Sequence, residues 1–172
     1  AFKQDAVKKR YRNWSELINY CRYSAVPVGR FMIDLHKEKK KSYKYSDPLC
    51  IALQILNHIQ DCKKDYNEID RVYLPSTLLK KYNVKLVQLK SNYTEKNLRL
   101  AINEVLYSTE KLIEQAEKFK KIMGHNKLAK ETAFILEIAK KLLKLLKKKD
   151  PLKNKVALNK LDYIQCFLKI FL

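Results

Sequence analysis

The sequence predicts an all-α protein in a single domain, and three observations carry that prediction. Glycine and proline are scarce, at two and four of 172 residues, so little interrupts helical backbone. Leu, Lys, Ile and Glu are abundant, the composition of long amphipathic helices. No strand pattern, internal repeat or linker appears along the chain. The length suits one domain with a real core, so residues 1–172 are read as one unit.

Residues 14–35, WSELINYCRYSAVPVGRFMIDL, read as one helix kinked at Pro27-Val28-Gly29. Proline removes an intrahelical bond there, and glycine tolerates the distorted backbone that follows. The polar KEKKKSYKY connects it to a second helix, capped by Ser46 or Asp47, with Pro48 in the first turn where its missing N–H costs little. That helix runs to about Tyr66. Pro75 marks a loop, and Ser76 caps a short helix over STLLKKY. Thr94 opens a long amphipathic helix that breaks at Gly124. Another spans roughly Leu128 to Lys148 and is ended by Asp150-Pro151, and NKLDYIQCFLKIFL forms the last.

Composition bounds the function. The net charge of +19 invites a nucleic-acid reading. The basic residues are overwhelmingly lysines, however, spread through KEKKKSYKY, EKFKK and AKKLLKLLKKKD on what read as solvated helix faces. Arginine, the better bidentate phosphate ligand, is rare, so no nucleic-acid partner is expected. Cys21, Cys50, Cys62 and Cys166 show no CxxC pair, which reads as reduced, mostly buried thiols in a cytoplasmic protein. The first residues are charged rather than apolar, unlike a signal peptide, and no run is long enough to span a bilayer. The apolar tail CFLKIFL fits either peripheral contact with the inner face of a membrane or a buried last helix. Oligomeric state is not legible.

The informative stretch is ALQILNHIQDCKKDYNEIDRVYLP, residues 52–75. Residues three and four apart share a helix face, so Gln54, Asn57, Asp61 and Asp65 form one polar stripe. Leu49, Ile51, Ala52, Leu53, Ile55, Leu56 and Ile59 make the rest apolar almost all round, so the stripe is expected to face an internal cavity. Carboxylates in a partly dry cavity need compensation, and Mg²⁺ takes one or two of them while keeping positions for water and phosphate. A bare DxxxD is otherwise the solvent face of an amphipathic helix. The amides on the same line and the apolar flanks favour the first reading.

NHIQDCKKD followed by DRVYLP resembles the second aspartate motif of the squalene/phytoene synthase family. YCRYSAVPVGR is similar to the same family's YCxYxAxxVG stretch, matching at Tyr20, Cys21, Tyr23, Ala25, Val28 and Gly29. The two stand in the family's order, and the wording is most similar to the bacterial hydroxysqualene/squalene branch. Gln60 stands where the phytoene and eukaryotic squalene branches usually have arginine, and Asp70-Arg71 where they have Gly-Arg; both departures fit the bacterial branch.

The resemblance implies an isoprenoid-synthase-type helical bundle, in which two aspartate-rich helices hold Mg²⁺ and a prenyl diphosphate. Farnesyl or presqualene diphosphate would go to a C30 isoprenoid, with NADPH needed only if the product is squalene. By the same resemblance Asp61 and Asp65 are metal ligands, directly or through water, with Asn57 and Gln54 beside them. Tyr20 is the catalytic candidate, for proton handling or cation stabilisation, against the plainer role of a hydrogen-bonded core tyrosine. Ala25, Val28 and Gly29 would shape the wall against the prenyl chain, Arg71 would reach the diphosphate, and Tyr73 would pack near the cavity mouth. For Arg71 the plainer role is a loop salt bridge to Asp70.

The family's first aspartate motif and N-terminal helices lie upstream of this stretch, so the chain is expected to be a partial domain with little activity alone. Glu110, Glu114 and Glu117, on a Lys-rich face, make no substitute. The alternative is a non-catalytic relative serving as scaffold or assembly factor.

Overall fold

The segment that is apolar on most sides becomes the central helix. α4, Tyr43–Gln60, buries Leu49, Ile51, Ala52, Ile55, Leu56 and Ile59, and such a helix needs neighbours on several sides. The computed structural model of the chain describes residues 2–121 and 127–171. Around α4 it places α1 Phe2–Val7, α2 Trp14–Ser24, α3 Val26–Leu35, α5 Cys62–Ile69, α6 Ser76–Lys81, α7 Lys96–Glu117, α8 Lys127–Lys148 and α9 Lys160–Phe171. α4 packs against α2, α3, α7 and α8, while α9 lies on α8. One continuous core runs from Tyr11 and Leu17 through α4 and α7 to Leu146 and Val156.

Among the described residues no sheet forms; Arg10 and Val72 make one isolated parallel bridge. Around it Val72 N donates to Lys9 O at 2.9 Å and Ser76 N to Tyr11 O at 2.8 Å. These bonds tie the segment after α1 to the loop after α5, residues that lie some sixty positions apart in the chain. Asp70, at φ 51°, closes α5 in the left-handed region that Asp tolerates better than most residues.

Several boundaries differ from the sequence reading, each for a tertiary reason. The break in the first long helix falls at Ala25, two residues before Pro27, because proline is accommodated in the first turn of a new helix. α4 starts at Tyr43, which leaves Pro48 inside it. Asp47 cannot cap, since its carboxylate holds Arg30 at 2.5 and 3.0 Å, and Ser46 is buried against Cys50. The helix expected to reach Tyr66 bends at Asp61, which ends α4 and precedes α5. Backbone bonds continue on either side, from Asp61 N to Asn57 O at 3.0 Å and from Asp65 N to Asp61 O at 2.8 Å. Ser76 is the first residue of α6 rather than a side-chain cap. Thr94 precedes α7 and binds the Asp150 carboxylate through its N–H and hydroxyl. Gly124 lies outside the described residues. α9 begins as expected, with Asn159 and Asp162 capping each other's backbone N–H at 2.9 Å.

Glu110, Glu114 and Glu117 are all ion-paired, to Lys147, Lys111 and Lys140 respectively. They form a charge ladder along α7 and α8, as their Lys-rich surroundings implied.

Candidate functional site

The four polar positions of the stripe do fall along one side of α4–α5, but they do not face a closed cavity in this chain. Asn57 is exposed, and Gln54, Asp61 and Asp65 are half-buried. Gln54 Nε2 lies 3.3 Å from His58 Nε2. Burial raises the Asp65 carboxyl above its usual range, and the Asp61 charge adds to this, while Arg71 pulls the other way. The Lys64 charge offsets the repulsion at Asp65 as well. Among the described residues neither makes an ion pair, whereas most other carboxylates do.

Beneath the stripe lies a cluster that the sequence reading reached only in part. Tyr20 is buried, and its hydroxyl donates to Asp5 Oδ1 at 2.8 Å. Its ring meets Tyr11 at 5.2 Å, Tyr73 at 5.8 Å and His58 at 5.9 Å between centroids. Tyr73, buried rather than at a mouth, stacks on His58 at 3.3 Å and 9°. Arg71 turns inward from its loop: Nη2 donates to Asp5 O at 2.5 Å and Nη1 to Tyr73 Oη at 3.2 Å. Nη1 also lies 3.7 Å from the Asp5 carboxylate. Asp70, the partner that sequence proximity offered, is held instead by Lys9 and Arg10.

Burial sets the protonation of this cluster. Loss of water, with the Arg71 charge nearby, depresses His58 to about 3, so the imidazole is neutral at pH 7. Burial, then the bond to Asp5, raises the Tyr20 phenol well above its usual value. Tyr11 Oη and Arg71 Nε are buried with no hydrogen-bond partner. Asp5, Tyr11 and His58 were missed at the sequence level. Tyr11 and His58 carry no local pattern that marks them, and Asp5 reaches Tyr20 and Arg71 only through the fold.

The third part is apolar. A pocket of about 230 Å³ opens between α3, α4 and α8, lined by Val28, Gly29, Cys50, Leu53, Phe119 and Ile135 among others. A Cβ on Gly29 would overlap Cys50 Sγ and come within 2.7 Å of Ser46 Oγ, so only glycine allows α3 this close to α4. Ala25 sits at the α2–α3 junction and shapes the wall only by placing α3. Cys50 and Leu53 of the pocket fall on the same side of α4 as Asn57 and Asp61, by three- and four-residue spacing. From Leu53 to Asp61 is roughly 12 Å along the axis. An apolar recess and an acidic pair thus share one helix side, the arrangement that suits a molecule with a hydrocarbon body and an anionic head bound through a cation.

A family model described as squalene/phytoene synthase matches residues 1–162. The hydroxysqualene synthase of Zymomonas mobilis subsp. mobilis is 39% identical over 162 residues, 94% of this chain and 54% of that protein. The hydroxysqualene synthase of Rhodopseudomonas palustris is 37% identical over 95% of this chain and 56% of its own length. The chain therefore spans about half the length of the curated relatives it matches. Among solved structures, squalene synthase from Alicyclobacillus acidocaldarius superposes with a TM-score of 0.76 at 26% identity, covering 83% of this chain and 54% of that one. A dehydrosqualene synthase in complex with ligand gives 0.85 over 98% of this chain and 60% of that one, at 21% identity, a likeness of fold.

Proposed function

Since the chain belongs to the squalene/phytoene synthase family, we propose that it binds a prenyl diphosphate and takes part in forming a C30 isoprenoid of the hydroxysqualene or squalene type. One observation carries the reading: Asp61 and Asp65, without an ion-pair partner among the described residues, share a helix side with the apolar recess at Val28, Gly29 and Leu53.

Two hard carboxylate oxygens fit Mg²⁺, which accepts one or two such ligands and completes its shell with water and phosphate. When bound, Mg²⁺ would supply charge that offsets the diphosphate and eases its departure. The chain's own residues do the rest. Asn57 and Gln54 offer amide donors beside the carboxylates, and Val28, Gly29 and Leu53 receive the hydrocarbon and exclude water. Tyr20 keeps its proton at neutral pH and donates a hydrogen bond through it to Asp5, so it acts as a hydrogen-bond donor rather than a base. Arg71, engaged with Asp5 and Tyr73, contributes its positive field at Asp65 rather than a direct grip on the diphosphate.

Calorimetry with a non-reactive thiolo analogue of farnesyl diphosphate tests this. Binding should need Mg²⁺ and fall at least about tenfold in Asp61→Asn/Asp65→Asn, a charge-assisted contribution of roughly 1.4 kcal/mol or more. Equal binding by both proteins, with or without Mg²⁺, would overturn the reading and leave the motif without a ligand role in this chain.

A further inference from the structure

The apolar recess between α3, α4 and α8 has a floor, and its distance from the acidic pair can be read along α4. α3 runs antiparallel to α4: Gly29 lies against Cys50 and Ser46, Arg30 pairs with Asp47, and Tyr43 donates to Asp34. Leu53 therefore lines the end of the recess nearer Asp61, and Ile33 and Ser46 line the end farther from it. There the recess stops at Ile33, Phe119 and Leu128, a small buried cluster separate from the main core. Phe119 belongs to the 3-10 turn Lys118–Lys121 that follows α7. It is 3% exposed and stacks on Tyr45 at 6.5 Å between ring centroids. Tyr45, in the first turn of α4, packs against the cluster from behind without lining the recess. The middle of the recess is lined by smaller residues, Gly29, Cys50 and Thr132, so the obstruction is confined to the floor.

Helical rise turns α4 into a ruler. Asp61 and Tyr45 stand sixteen residues apart, roughly 24 Å along the axis. A Mg²⁺ and the diphosphate it grips take up roughly 7 Å from the carboxylates. Each prenyl unit adds four carbon–carbon bonds and lengthens an extended chain by roughly 5 Å. A head group and three units therefore span roughly 22 Å, which reaches the level of Ser46 and the Phe119 ring. A fourth unit would have to pass through that ring and through Tyr45 behind it. An apolar pocket gains modestly from each further carbon it can bury, but it loses sharply when a chain must force a packed ring from its place.

Resting on the reading that Asp61 and Asp65 hold the head group, we propose that Phe119 is the specificity-determining residue of the recess. Its ring, flanked by Ile33 and Leu128 and backed by Tyr45, limits the bound hydrocarbon to three prenyl units and rejects four. The selection works by exclusion at the floor rather than by extra contacts to the shorter chain.

The test is calorimetry of the whole chain, with Mg²⁺, against the non-reactive thiolo analogues of farnesyl and geranylgeranyl diphosphate, which carry three and four prenyl units. Wild type should bind the three-unit analogue at least about tenfold more tightly. Phe119→Ala should bring the two within about threefold, chiefly by tightening the four-unit analogue. Phe119→Leu keeps the site filled should the alanine variant fail to fold, and it should move the ratio part of the way. Phe134→Ala, which removes the same ring from the side of α8 that meets α9, should keep the wild-type ratio. Circular dichroism melts check that each variant is folded at the assay temperature. Equal Mg²⁺-dependent binding of both analogues by wild type, or a ratio unmoved in both Phe119 variants, would overturn the role of Phe119 and leave the head-group reading standing. Binding of neither analogue in the presence of Mg²⁺ would overturn both.

Discussion

His58 offers the sharpest test of the buried cluster, because its environment converts directly into a pH dependence. It is 6% exposed, stacked on Tyr73 and close to Arg71. Loss of hydration, then the Arg71 charge, lowers its pKa from 6.5 to about 3. In the unfolded chain the ring takes up a proton near pH 6.5, which the folded chain resists. The folded value lies below the unfolded one, so this contribution is fully present above pH 6.5 and is lost as pH falls toward 3. Each whole pH unit below 6.5 is worth about 1.4 kcal/mol, so pH 5 removes about 2 kcal/mol and the whole span about 5 kcal/mol. Those figures are large beside a typical domain stability of about 5–15 kcal/mol. The assay is urea unfolding followed by far-ultraviolet circular dichroism at pH 7 and pH 5, for wild type and His58→Gln. Carboxylates, including the raised Asp65, titrate in both proteins, so the difference between the two pH responses isolates the imidazole. Wild type should lose about 2 kcal/mol more than the variant over this interval. Parallel responses would show that the ring is hydrated or already charged in the folded chain, and the account of the cluster would fail.

Other outcomes follow from the same geometry. Asp5→Asn takes the carboxylate from Arg71, 16% exposed, while leaving Tyr20 an acceptor; the chain should lose about 1–2 kcal/mol in thermal unfolding, less than a fully buried pair would. Gly29→Ala drives a methyl into Cys50 and Ser46 and should cost about 1–3 kcal/mol, with part recovered in Gly29→Ala/Cys50→Ala; an unchanged melting temperature would mean α3 and α4 are not pressed together. Burial pushes the Cys21 and Cys62 thiols up to about 12, so at pH 8 iodoacetamide should modify both only as fast as the chain unfolds, read by peptide mass spectrometry. Glu137 is held down at about 2: burial opposes this, and the bonds to Lys169 and Lys140 outweigh it. Its contribution is present above pH 4.5 and lost as pH falls toward 2, so Glu137→Gln should loosen α9 at neutral pH, seen as faster amide exchange along that helix.

Much of this was decided locally and was therefore legible. Helical class, the amphipathic courses of α7 and α8, the presence of α9 and the alignment of Gln54, Asn57, Asp61 and Asp65 all follow from spacing within a few residues. So do the two motifs around Tyr20 and Asp61, which point to the family before any coordinates are considered.

Contacts distant in sequence decided the rest. Ser46 and Asp47 are good caps by type, but Arg30 and the α3–α4 contact engage them first, so α4 starts earlier and carries Pro48 inside. Arg71 has Asp70 beside it in sequence, yet the bridge between Arg10 and Val72 delivers Asp5 instead. Whether the acidic stripe faces water or a cavity depends on what packs against α4, which periodicity alone does not contain. Side-chain spacing is set by the helix itself, whereas a side chain's partner is set by which distant segments the core brings together.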